Sequence, residues 1–107
     1  MAALTDSEKA EVQQNKSIRG YIIRCLVKGY NNTAIVRQIS NAMMAAELII
    51  SPDISKYLQY LEGAGYIEFT EKKVTAFTAL ANDAVVRLTK KGVDLAEGTV
   101  EDAGVDI

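Results

Sequence analysis

The sequence predicts an α+β fold, with a three-helix core, a β-hairpin and a C-terminal helix. Three observations predict it. Ser51 to Phe69 reads Ser-Pro-Asp-Ile-Ser-Lys-Tyr-Leu-Gln-Tyr-Leu-Glu-Gly-Ala-Gly-Tyr-Ile-Glu-Phe, a short helix that stops at glycine and passes directly into a strand. After a long connection, Arg87-Leu-Thr-Lys-Lys-Gly-Val-Asp-Leu reads as a strand running into a helix. The 107 residues and an apolar share of 49% suffice for one domain with one core.

The elements follow in order. Thr5 and Glu8 have capping-box spacing, so a helix starts there. Ile18, Ile22, Cys25 and Leu26 form its apolar stripe. Gly20 lies inside that helix, either as a place of close packing or as a bend, and costs about 1 kcal/mol relative to alanine. Gly29 ends it as a C′ glycine would. Asn31-Asn32-Thr33 supplies the next N-cap, and Ile35, Ile39 and Ala42 or Met43 give the second helix its buried face. Residues 45–50 either extend that helix or contain a short strand at Leu48-Ile49-Ile50; a helix ending near Met44, then a loop or brief strand, is favoured.

In the third helix Ser51 is the expected N-cap and Pro52 the first helical residue. Ile54, Tyr57, Leu58 and Leu61 share one face, and Gly63 or Gly65 stops the helix. Tyr66 to Phe69 alternates as a half-buried strand, Glu71-Lys72-Lys73 reads as an exposed tip, and Val74 to Phe77 is a candidate return strand. Residues 79–83 read as loop and Val85 to Leu88 as a strand. Thr89 caps a final helix closed by Gly98. The expected organisation is an N-terminal arm or helix start over 1–16, the folded domain over 17–98 and an acidic tail over 99–107. Val100, Val105 and Ile107 are that tail's candidate anchors.

Composition excludes much chemistry. The chain has no histidine and one cysteine, so neither Ser-His-Asp nor Cys-His catalysis is available. The usual zinc and copper ligand sets are missing too. The carboxylates have no convincing paired spacing. The expectation is a non-enzyme without metal or cofactor. Cys25, on the apolar stripe, reads as an inert core thiol. Gly63-Ala64-Gly65 follows a helix, not a strand, and so reads as a helix stop and not a phosphate loop. No apolar run is long enough to span a membrane and no export signal is apparent, so a cytoplasmic location is expected.

The net charge of −2 hides a pattern. Residues 15–92 hold eleven bases and six acids, a net +5, and the two ends supply the remaining acid. A basic body of this kind suits a polyanion partner. The order helix, helix, helix, strand, strand, helix is that of a winged helix-turn-helix domain, in which the exposed face of the third helix enters the DNA major groove. That face is Ser55, Lys56, Gln59 and Tyr60. Lysine and glutamine read guanine and adenine edges, while serine and tyrosine bind phosphates. Lys72 and Lys73 at the wing tip are candidates to hold the flanking backbone or the minor groove, and Arg37, Lys90 and Lys91 are further phosphate candidates. Each is equally an ordinary solvated side chain. Asp53 at the start of the helix opposes an anion there.

The segment Ser51 to Phe69 resembles the recognition helix and first wing strand of bacterial winged-helix regulators of the MarR, ArsR and PadR type. Arg87 to Leu95 resembles their second wing strand and the start of the next helix. The likeness covers residues 17–98. The whole chain, with its Gly-Val-Asp-Ile ending, also resembles small proteins of Mu-like phages and prophages. These resemblances imply binding of double-stranded DNA in transcriptional regulation, in a prophage setting, as a homodimer joined through the long first helix. The alternative is a non-catalytic winged-helix protein-interaction module in a phage packaging or assembly complex. The ArsR metal ligands are missing, so metal sensing is not implied, and the connections before the third helix and within the wing are longer than in that pattern.

Overall fold

The computed structural model describes residues 3–107. It is an α+β arrangement of four helices and one three-stranded antiparallel sheet. Helix α1 spans Asp6–Lys28, strand β1 Thr33–Ile35, helix α2 Val36–Ala45 and helix α3 Ser55–Gly63. Strands β2 (Ile67–Phe69) and β3 (Val85–Leu88) and helix α4 (Lys90–Ala96) complete it. The sheet order is β1-β3-β2, with Ala34 opposite Val86 and Glu68 opposite Arg87.

The core lies where the helices meet one face of this sheet. Ile18, Ile22, Ile23 and Leu26 of α1, Val36, Ile39 and Met43 of α2, and Leu58 and Leu61 of α3 are buried around Val86. Each such side chain contributes about 1.5–3 kcal/mol. Tyr57 is buried as expected. The Thr5–Glu8 capping box is formed, with Glu8 N–H donating to Thr5 Oγ1 and Thr5 N–H to the Glu8 carboxylate. Thr89 caps α4 by accepting from Gly92 N–H. Gly65 adopts the left-handed conformation (φ +86°) that lets the chain leave α3 and enter β2, and Tyr66 N–H donates to Leu61 O there.

Several expectations need correction. Ser51 does not cap α3 and Pro52 is not its first residue. The helix starts at Ser55, after a turn in which Asp53 N–H donates to Ser51 Oγ and Ser55 N–H to Asp53 Oδ1 (3.0 Å). Asp53, two residues on, accepts from Ser55 N–H, and Pro52 O is engaged by the buried Ser40 hydroxyl at 2.6 Å. Asn31-Asn32-Thr33 does not cap α2. Asn31 and Asn32 take positive φ in a 3-10 turn, and Thr33 begins β1, which pairs with β3. Gly29 closes α1 with φ −77°, not as a left-handed C′ residue; a Cβ there would stand 1.9 Å from Thr33 O.

Val74 to Phe77 is not a return strand. Residues 70–84 form a turn-rich loop in which Thr75 and Thr78 satisfy one another's backbone, and Ala76 and Ala79 are buried. β2 therefore pairs with β3 directly. Residues 46–50 are loop, with Leu48 and Ile49 packed on the core and Ile50 exposed.

The C-terminal segment packs along α1. Val105 is buried, Asp106 N–H donates to Lys16 O, and Gln13 Nε2 reaches the Asp106 carboxylate at 3.0 Å. Gly20 makes this approach possible: a Cβ there would lie 1.7 Å from Asp106 O. Val100 and Ile107 stay exposed. Among the described residues, no helix is long and apolar enough to cross a membrane.

Candidate nucleic-acid interface

Helical spacing splits α3 into two faces. Tyr57, Leu58 and Leu61 point into the core, leaving Lys56 and Gln59 exposed. Ser55 is half-buried, and its N–H is bound by Asp53. The Ser55 side chain and backbone hydrogen bonds hold the Asp53 carboxyl below its ordinary range. The start of α3 is thus already occupied by an anion of this chain. The Lys56 ammonium lies 4.9 Å from the centre of the Tyr57 ring.

Tyr60 stands at the edge of the face, 37% exposed. The Arg19 guanidinium of α1 stacks on its ring at 3.7 Å and donates through Nη1 to Gly104 O at 3.0 Å. The Tyr60 hydroxyl is so close to Gly104 that a Cβ there would be 2.1 Å away. Lys56, Gln59 and Tyr60 thus share one surface with Asn15 and Arg19 of α1, around a groove of about 250 Å³. Sequence reading missed Asn15 and Arg19. Their i, i+4 spacing places them on one strip of α1, but nothing in that spacing says which helix the strip faces.

The other candidates lie apart from this groove's lining. Lys72 and Lys73 are exposed in the loop after β2. Arg37 of α2 is paired with Asp83 at 2.6 Å and donates to Leu80 O. Lys90 pairs with Asp94 at 3.1 Å, and Lys91 Nζ donates to Ala64 O at 2.9 Å. Arg87 pairs with Glu68 across β2 and β3. Among the described residues, three of the middle's eleven bases, Arg37, Arg87 and Lys90, are thus held in ion pairs within the chain.

Behind the groove, the Tyr66 hydroxyl donates to Asp102 Oδ2 at 2.5 Å. That bond pushes Tyr66 up to about 12 and holds Asp102 below the usual carboxylate range; Gly104 N–H, Lys91 and Arg19 also lower Asp102. Cys25 is half-buried, and burial raises its thiol, keeping it protonated at neutral pH. It lines a larger apolar cavity of about 490 Å³ between the end of α1, β1 and α2, beside Tyr30, which is 85% exposed. Among the described residues, no three His, Cys, Asp or Glu side chains gather as metal ligands would. Comparison of the chain with protein-family models, curated proteins and solved structures finds no match.

Proposed function

We propose that this chain is a winged-helix domain that binds double-stranded DNA through the exposed face of α3, in transcriptional regulation and in a prophage setting. The observation that carries the reading is topological. Helix, strand, helix, helix, strand, strand, with sheet order β1-β3-β2, leaves α3 half-exposed ahead of a hairpin with a lysine pair beyond its first strand. Lys56, Gln59, Tyr60 and Ser55 meet the duplex from α3, Lys56 as a phosphate contact, and Lys72 and Lys73 hold the flanking backbone. Arg37 is engaged with Asp83 and contributes little.

A single cation on α3 gives weak monomer binding, in the non-specific range of about 10⁻⁴–10⁻⁶ M. A homodimer through α1, whose first turns are exposed, doubles the phosphate contacts. The test is the salt dependence of binding to duplex DNA. Log K falls linearly with log salt, and Lys56→Ala weakens binding and lowers the slope by about 1. Absence of binding at low salt refutes the reading.

A second reading, a protein-interaction module of a phage packaging or assembly complex, is favoured by one observation. The apolar cavity beside Cys25 and the exposed Tyr30 and Val27 lie on a surface that DNA bound at α3 does not need. Its signature is association with a protein at an affinity that salt hardly changes.

A further inference from the structure

The groove between α1 and α3 has an unusual lining. Asn15, Arg19, Lys56, Tyr57, Gln59 and Tyr60 each carry a hydrogen-bond donor, two are cations, and no carboxylate lines it. Among the described residues, the side chains of Asn15, Lys56 and Gln59 make no hydrogen bond within the chain, and Arg19 Nε is buried without an acceptor. Arg19 is also fixed in place, stacked on Tyr60 and tied to Gly104 O. The neighbouring carboxylates are already engaged: Asp102 faces the Tyr66 hydroxyl and Asp53 the Ser55 N–H. Two cations and four neutral donors with no carboxylate among them, around a preset guanidinium, suit a tetrahedral oxyanion rich in acceptor oxygens.

We propose that this groove is a binding site for a single phosphate group, with Arg19 and Asn15 supplied by α1 and Lys56 and Gln59 by α3. The inference rests on the DNA-binding reading when the phosphate belongs to a duplex backbone. There it assigns Asn15 and Arg19 to the contact that fixes how α3 sits on the duplex. The same chemistry is offered by a free phosphorylated small molecule.

The experiment uses the full chain and its Asn15→Asp variant, with inorganic phosphate and a short duplex DNA as separate probes. Phosphate is followed by the side-chain amide signals of Asn15 and Gln59, and DNA by anisotropy. Asn15 makes no side-chain hydrogen bond, so the variant keeps its fold; Gln59→Glu repeats the test from the other wall. A carboxylate in the groove should weaken binding at least about fivefold, the effect of unit charges roughly 4 Å apart in water. Both probes weakened to that extent support the site with DNA as the source. Phosphate bound and weakened, with no DNA binding, supports the site but defeats the DNA-binding reading. DNA bound equally by the parent chain and both variants overturns the site and leaves that reading standing. Neither probe bound by the parent chain overturns both.

Discussion

Gly20→Ala separates two accounts of the C-terminal segment by the sign of its effect. In a helix facing solvent, alanine for glycine stabilises by about 1 kcal/mol. Here the added Cβ would lie 1.7 Å from the backbone oxygen of Asp106, so the segment must move. Unseating it exposes Val105, about 1.5–3 kcal/mol. It also breaks the Asp106 N–H to Lys16 O bond and the Arg19 to Gly104 O bond, at about 0.5–1.5 kcal/mol each. The helix gain and the freed segment's entropy offset part of this loss. The net expectation is destabilisation by about 1–3 kcal/mol, and so a fall in Tm of several degrees. Urea and thermal unfolding measure the stability, and hydrogen exchange at the Asp106 amide reports whether the segment has left α1. Gly63→Ala is the control: its Cβ meets nothing within 4 Å, so it should stabilise by up to about 1 kcal/mol. A neutral or stabilising Gly20→Ala, with Asp106 still protected, refutes the proposed docking.

The Tyr66–Asp102 pair links stability to pH at both extremes. Asp102 titrates lower in the folded chain than in the unfolded one, so its contribution is present above the ordinary carboxylate range and is lost as pH falls through the folded value. Tyr66 is raised from 10.0 to about 12, so its contribution is complete below 10 and disappears as pH rises toward about 12. In Asp102→Asn, tyrosinate absorbance should show Tyr66 titrating closer to 10; an unchanged titration contradicts the assigned cause. Arg37→Ala removes a half-exposed ion pair, so stability should change by less than about 1 kcal/mol and duplex affinity by less than about twofold. A large loss of affinity would place Arg37 in the DNA contact.

Local signals were the legible ones. The Thr5–Glu8 box, the split faces of α3 and the Thr89 cap each depend on residues within a turn or two, and each is formed as read. Strand β1 was not legible because three residues carry no alternation and its partner, β3, lies some fifty positions away. Ser51 reads as a good cap; the path from α2, with Pro52 O held by Ser40, moves the start of α3 to Ser55, where Ile54 precedes the helix and no side chain caps it. Val74 to Phe77 has strand composition, yet the Thr75–Thr78 bonds and buried Ala76 and Ala79 turn it into a loop. The outward α3 residues were readable from periodicity, but the α1 wall of the groove was not. The seat for Val105 was also hidden, because Gly20 read equally well as a bend.

The most direct test of α3 as a nucleic-acid surface is a map of amide shifts in the labelled chain as duplex DNA is added at low salt. DNA binding through α3 predicts changes concentrated at 55–60 and at Lys72 and Lys73, fading as salt rises, with the surroundings of Tyr30 and Cys25 undisturbed. Shifts confined to that apolar cavity, or none anywhere at millimolar DNA, would contradict it.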